Sequence, residues 1–504
     1  MAPLPSNFSG KYASKYFHFP FPVPATSSDS RPNATGTWAE LVRQKAAVPV
    51  SLPAKCPLPS YWIREACDAY SGGALPDAAD VVIVGSGISG AMVAWKLLQE
   101  TTEPISILML EARDVCSGAT GRNGGHTKGD VYFGYSGPGE DDEKLKIIRL
   151  QEANIRDLHK IANELGIECG QEKCDTIDVF YSQTTWDSCK ASITQLEEDA
   201  QDSIGTKHLV YEAADFPAYR QCFTSSKGLQ AKGIVEYPAG RISGYKLVRG
   251  ILDKCVEKGM RITTRCPVTK LDNSQGDGWS VTTPRGVVSC KKVVLATNGY
   301  TAGLSSVFHK AVIPVRGDVV AVRATPEVEN SMTNNSMSFI YSENDFEYMT
   351  IQPKAESAPY KTLILGGGLS YGPSGVSPNF GNTDDSTVNE NTQDYLKSLL
   401  PRIFGENWGI DDAEQRVEIG WSGIMGFTLD GAPLVGEVPG QPGLWASVAF
   451  QGNGMTMAMK CAEALCKMMA GKTDELEWFP QSFCLAEERL KTDTFWNEFG
   501  QRQE

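Results

Sequence analysis

The sequence predicts an α/β protein with two bodies, one an open parallel sheet wound with helices, the other a mainly antiparallel sheet. Three observations carry that prediction. Asp80 to Leu98, DVVIVGSGISGAMVAWKLL, and Ile105 to Arg113, ISILMLEAR, read as strand, glycine-rich turn, helix and strand. Patterns of the same kind resume from Ser243 to Ala296 and from Leu444 to Gly471. Between them Val312 to Val322, Ser338 to Tyr341, Tyr348 to Gln352 and Thr362 to Gly366 alternate apolar and polar residues, as antiparallel strands with one covered face do.

The first unit is Rossmann-like in its physics. Gly85 permits a tight turn off the strand, and Gly87 lets backbone approach a pyrophosphate at the helix N-terminus, where free N–H groups and the helix dipole favour anions. Gly90 allows the helix to pack close to the sheet. Glu111 ends the second strand 21 residues beyond Gly90, where a carboxylate can accept hydrogen bonds from an adenosine ribose. A dinucleotide is the ligand this order requires.

The first 79 residues show no sustained period and are expected to be an extended arm, with a short helix at Thr37 to Lys45. Apolar residues at helical spacing from Leu145 to Leu165 predict a long amphipathic helix over Glu140 to Leu165. Strands are expected at Thr176 to Tyr181 and Leu209 to Tyr211, around a helix at Thr185 to Gln201. A helix at Ser243 to Lys258 precedes short strands at Met260 to Thr264, Val268 to Leu271, Trp279 to Thr283, Gly286 to Cys290 and Lys292 to Ala296. A helix at Thr387 to Leu400 is expected to end at Pro401. The strand Leu444 to Val448 leads to a helix from Met455 to Ala470, stopped by Gly471. The division that follows puts residues 80–170, 231–305 and 420–471 in the first body and residues 171–230 and 306–419 in the second. Residues 472–504 form a tail.

Composition narrows the function. The chain has 504 residues, 41% hydrophobic content and a net charge of −14, which repels a phosphate backbone and argues against nucleic acid. No stretch of 18 apolar residues is present and the N-terminus lacks a signal-peptide core, so neither membrane nor secretion is expected. Thirteen cysteines without a CxxC pair fit reduced thiols and a cytoplasmic location, and the five histidines show no metal-ligand spacing. No feature of the sequence sets its oligomeric state.

Two further motifs stand beside the dinucleotide turn: VCSGATGRNGGH at Val115 to His126, and SGIMGFTLDGAPLVG at Ser422 to Gly436, followed by FQGNGM at Phe450 to Met455. With the turn they resemble the flavoprotein family of D-amino acid oxidase, glycine oxidase and sarcosine oxidase, and most closely its gamma-glutamylputrescine oxidase-like branch. The resemblance spans about Ala79 to Gly471. It implies a glutathione-reductase-like FAD fold, noncovalent FAD and a substrate domain. By position it implies that Gly85, Ser86, Gly87, Ile88, Ser89 and Gly90 take the pyrophosphate, and Glu111, Ala112 and Arg113 the ribose. Gly118, Ala119, Thr120, Arg122, Asn123, Gly124, Gly125 and His126 would meet the ribityl chain and ring edge, and Val268 the adenine. Thr297 and Asn298 would return to the cofactor. Gly452, Asn453, Gly454 and Met455 would aim a helix N-terminus at the ring.

The resemblance further implies oxidation of a C–N bond by hydride transfer to flavin N5, giving an imine that water hydrolyses. Where those amino-acid oxidases carry a carboxylate-clamping arginine in G-L-R-P-x-T-x-D, this chain has Met425 in GIMGFTLD. The expected substrate is therefore an amine or N-substituted amine, with Arg316 as an alternative anchor or a structural arginine. Tyr348, Trp421 and His126 are the other candidates for substrate contact. Only one strand-GxGxxG-helix unit is present, which points to O2 as acceptor, with Lys128 or His126 as the cation that assists its reduction. Two alternatives stay open at this level: a flavoenzyme acting on an alcohol or a C–C bond, and a non-catalytic binding protein of the same fold.

Overall fold

The computed structural model describes residues 44–492, less short stretches at 65–69, 101–102, 130–131, 134, 136–140, 202–203, 218–221, 224–228, 274–277, 332–333, 343–344, 355–358, 370, 372–377, 411 and 413. The helix expected at Thr37 to Lys45 falls largely outside the described residues.

In chain order the strands are β1 (Ala78–Val84), β2 (Ile107–Leu110), β3 (His126–Thr127), β4 (Glu172–Phe180), β5 (Leu209–Glu212), β6 (Gly233–Arg241), β7 (Arg261–Thr263), β8 (Lys270–Asp272) and β9 (Trp279–Thr283). They continue with β10 (Gly286–Leu295), β11 (Ile313–Arg323), β12 (Ser336–Ser342), β13 (Asp345–Gln352), β14 (Thr362–Gly367), β15 (Val417–Phe427), β16 (Leu434–Glu437) and β17 (Leu444–Val448). The principal helices are α1 (Ile88–Glu100), α2 (Asp141–Glu164), α3 (Gln183–Ala200), α4 (Gly244–Glu257), α5 (Glu390–Phe404) and α6 (Gly454–Met469).

The first sheet runs β16-β17-β10-β1-β2-β7, with β8 and β9 attached through β10. Its central pairs, from β17 across to β7, are parallel. β1 and β2 are apolar nearly throughout because both faces are covered. α1, α4 and α6 close one face of the sheet in a core with Ala91, Leu247, Ile251, Met457 and Leu465. The second sheet has nine strands in the order β15-β11-β14-β13-β12-β4-β6-β3, with β5 on β6. All its pairs are antiparallel except β12 with β4. α5 packs Leu396, Leu399, Ile403 and Phe404 against this sheet. The α/β expectation with a second, mainly antiparallel body holds.

Several elements differ from the sequence reading. β10 is one strand where two short ones were expected. α5 passes through Pro401 and ends at Gly405, whose φ of +53° suits a glycine. A helical proline costs about 3 kcal/mol. Burying Ile403 and Phe404, both 0% exposed, contributes about 1.5–3 kcal/mol each and offsets that loss. No strand was expected at β6, which carries Pro238. Pairing with β5 stops at Glu236 of β6 and pairing with β3 starts at Gly240, so the proline falls in the gap between them. β6 and β15, placed with the first body by sequence, are both strands of the second sheet. β15 is rich in glycine, and no strand was expected there. Its glycines serve close packing: a Cβ at Gly423 would stand 3.2 Å from Arg122 Cβ, and one at Gly426 2.7 Å from Asn298 Oδ1.

Candidate functional site

A cavity of about 390 Å³ lies between the two sheets and is lined from both. The turn after β1 forms one wall. Gly85 has φ of +107°, and a Cβ there would stand 2.6 Å from Ala296 O; one at Gly90 would run into Gly85 O. Both glycines are required by close approach. Ser86 Oγ donates to Glu111 Oε2 at 2.6 Å, and Ser86 N donates to the same oxygen at 3.0 Å. Arg113 N donates to Glu111 Oε1, so the carboxylate is fixed at the end of β2. Ile88 N, at the start of α1, donates to Thr120 Oγ1 at 3.0 Å and ties the turn to the next loop.

That loop, from Gly118 to His126, is held on every side. Asn123 Nδ2 donates to Thr120 O, and Asn123 Oδ1 accepts from Gly125 N. Thr350 Oγ1 donates to Gly124 O at 2.6 Å. The N-terminal segment crosses its back: Ser60 Oγ donates to Gly121 O at 2.6 Å, and Trp62 Nε1 donates to Asn123 O at 2.5 Å. A Cβ at Gly125 would stand 2.8 Å from the Trp62 ring. Leu52 and Pro53 of the same segment line the cavity. Arg113 and Arg122 converge on the buried Asp385, Arg113 at 2.8 Å, which pins the segment around residue 385 to the loop.

The far wall is the end of the first body and the face of the second. Ala449, Gln451 and Gly452 all have positive φ between β17 and α6, local strain of the kind that collects at ligand sites. Asn298 Oδ1 accepts from Ala449 N at 3.0 Å, and Gln451 N donates to Gly426 O at 3.1 Å. α6 then opens on the cavity, with Gly452 to Thr456 lining it and no capping bond from the Asn453 side chain. Its N-terminal peptide dipoles are left for a ligand. Tyr348 lies between two glycines: a Cβ at Gly124 or at Gly366 would collide with its ring or hydroxyl.

All the residues predicted from sequence line this cavity except Gly90, Gly125, Arg316 and Trp421. Gly90 and Gly125 act through packing, as above. Arg316 points away from the cavity, with Nη1 donating to Thr387 Oγ1 at 2.9 Å under the loop that leads into α5. Trp421 is 0% exposed and sits behind the loop, its Nε1 donating to Arg122 O at 2.8 Å beside Val319 and Ala321. Neither lines the cavity. Met425 does line it, and its side chain lies near Gly317 and Gly452. Sequence reasoning missed Leu52, Pro53, Tyr300, Ser338, Phe346 and Leu369, which also line the cavity.

His126 is held neutral: burial first, then the charge of Lys128, push its pKa down to about 3. It cannot supply the expected cation, and Lys128, the other candidate, is paired with Asp178 at 2.6 Å. Burial pushes the Tyr348 hydroxyl up to about 12.

These residues fit a bound dinucleotide. The glycine turn leaves room at Gly87, where a Cβ would meet only Thr120 Oγ1, at 3.2 Å. Two buried atoms on lining residues, Arg122 Nη1 and His126 Nε2, have no hydrogen-bond partner in the protein. The model of the FAD dependent oxidoreductase family, DAO, matches residues 80–468. The chain belongs to that family. It is therefore an enzyme, an oxidoreductase, and FAD is its cofactor.

Among its relatives is a probable oxidoreductase, OrdL, of Rhizobium meliloti, 22% identical over 80% of this chain and 86% of that protein. The gamma-glutamylputrescine oxidoreductase of Escherichia coli is 22% identical over 79% of this chain and 85% of its own length. Glycine oxidase from Geobacillus kaustophilus shares the fold, with a TM-score of 0.64 at 19% identity, over 82% of this chain and 99% of that one. Among the described residues no helix is long and apolar enough to cross a membrane, and no cluster of metal-binding side chains occurs.

Proposed function

We propose that this family member oxidises the C–N bond of an amine or N-substituted amine and passes the electrons to O2. The observation that carries the reading is the cavity lining, where neutral His126 stands beside Tyr348, ring centroids 6.4 Å apart, and Met425 also lines the wall. When bound, FAD supplies the two-electron acceptor that takes a hydride from the carbon beside the amine nitrogen, leaving an imine for hydrolysis.

The chain supplies binding, orientation and electrostatics. Ser86 to Ser89 would hold the pyrophosphate, Glu111 the adenosine ribose and Val268 the adenine. Thr120 to His126 and Gly452 to Met455 hold the ribityl and ring end. The opening of α6 favours negative charge beside it. Tyr348, Ile424, Met425, Phe427 and Phe450 wall that end with mostly apolar surface and exclude water. An amine entering there sheds its proton readily, since desolvation disfavours the ammonium form. Neutral His126 lines this end without placing a second cation beside the amine.

Met425 at the position of the family's carboxylate clamp favours amines over free α-amino acids. The relatives named for gamma-glutamylputrescine and for sarcosine act on substrates with a C–N bond, which agrees with this reading. The lining residues include no cysteine, which supports noncovalent FAD. The twelve described cysteines are free, which suits a cytoplasmic enzyme. Lys128 is the cation this reading assigns to oxygen reduction.

Oxygen uptake with primary, secondary and acylated amines, glycine, D-alanine and simple alcohols tests the proposal. Turnover with amines is expected. Clear superiority of glycine or D-alanine would overturn the Met425 argument, and turnover with alcohols alone would overturn the reaction class.

A further inference from the structure

The stretch from Gln44 to Arg64 precedes the segment that the family model matches, yet it touches both ends of the cofactor cavity. Val50 packs on Gly303, where a Cβ would stand 2.8 Å from Val50 O. Leu52 and Pro53 then line the cavity, as do Tyr300 and Leu304. Arg113, whose backbone N–H fixes Glu111, donates from Nη1 to Ala54 O at 3.4 Å. From there the chain reaches the loop at the other end, where Ser60 and Trp62 hold Gly121 and Asn123. The crossing itself is held at few points. Of residues 47–59 none is buried and none belongs to a helix or strand. Ser51 Oγ and Thr383 Oγ1 share a hydrogen bond of 2.7 Å, and Leu58 N donates to Asp385 O at 3.0 Å. Ala46 and Ser60, both buried, anchor the two ends.

We propose that residues 47–59 are a strap that gates FAD: the strap swings off the body for the cofactor to enter or leave, and its opening limits the rate of both. The proposal rests on FAD filling this cavity and not on the reaction proposed above. A span with little buried surface between two firm anchors opens at lower cost than the sheets beneath it. Opening needs only that Ser51, Ala54 and Leu58 release their partners, while Ser60 and Trp62 stay in place. Pro49, Pro53, Pro57 and Pro59 fix φ and limit the freedom that the open span gains, so it returns to the same path. The closed strap lies beside Arg113, at the end given to the adenosine ribose, so the adenosine half of the cofactor is the part it retains.

The full chain carrying Ser51→Cys, Thr383→Cys and Cys56→Ser tests the gate. The two side-chain oxygens at 2.7 Å face one another, as the sulfurs of a bridge must, and the third change removes the exposed thiol of the strap. Release is followed by recovery of FAD fluorescence on dilution of the loaded chain, and uptake by its quenching in the FAD-free chain. Closing the bridge is expected to slow release and uptake alike by about tenfold or more, and dithiothreitol to restore both. Slower release with unchanged uptake would make the bridge a mere reinforcement of the loaded fold and overturn the gate, as would no change in either rate. Pro49→Gly with Pro57→Gly loosens the strap without a bridge and is expected to release FAD about fivefold faster. An unchanged rate in that variant also overturns the proposal. Thiol titration reports the bridge and FAD content the fold; if the bridged chain does not fold, the proline variant decides. Neither rate needs turnover, so a chain that oxidises no amine defeats the reaction proposed above and leaves the gate standing.

Discussion

Replacing Trp62 by alanine is expected to weaken FAD binding although residue 62 lies outside the family-matched segment. The partly buried indole covers Gly125, and its Nε1 caps Asn123 O in the loop that lines the cofactor cavity. Most of the indole is covered, and truncation to alanine uncovers about 100 Å² of apolar surface, worth about 2.5 kcal/mol at ~25 cal/mol per Å². The hydrogen bond adds about 1 kcal/mol. If about half of the total serves to order the loop, FAD binding falls by about tenfold, at 1.4 kcal/mol per decade. Recovery of FAD fluorescence on dilution of the loaded protein measures this. Arg64→Ala, two residues on, is the control. Its ion pair with Glu418 at 3.3 Å is partly exposed, so the change is expected to cost at most about 1 kcal/mol of stability and to leave FAD affinity alone. Unchanged FAD affinity in Trp62→Ala, or an equal loss in both variants, would refute the role given to this segment.

Three other outcomes are expected. Gly90→Ala should abolish FAD retention and lower the melting temperature, because its Cβ meets Gly85 O; Gly72→Ala, with nothing within 4 Å, should do neither. Burial pushes Glu347 up to about 8, so the folded chain keeps a proton that the unfolded chain releases near pH 4.5. Its contribution to stability is therefore full below pH 4.5 and falls as the pH rises to about 8. The melting temperature of Glu347→Gln relative to the unmodified chain should then climb between pH 5 and 8.5, and a constant offset would contradict the assignment. Met425→Arg should raise kcat/KM for D-alanine and lower it for amines, while an unchanged substrate profile would remove Met425 from substrate selection.

What the sequence revealed was local. The turn Gly85 to Gly90 and Glu111 are specified within one strand-helix-strand unit, so spacing alone located them. Arg316 and Trp421 are different. Both lie on strands, β11 and β15, where a shift of one residue turns a side chain to the opposite face, and the register that pairs Val319 with Trp421 is set by tertiary packing. The covering of the loop by Ser60 and Trp62 joins residues 61 apart with no periodic pattern to announce it. Pro401 was misjudged for a related reason. A proline argues against a helix only until its neighbours are known, and here the burial of Ile403 and Phe404 overrules it.

The most direct measurement is the visible spectrum of the purified chain during anaerobic addition of an acylated diamine, followed by admission of air. Bleaching of an oxidised flavin at one FAD per chain, reversed by oxygen, is the expected result. A flavin that no amine bleaches would contradict C–N oxidation, and one that stays bleached in air would contradict oxygen as the acceptor.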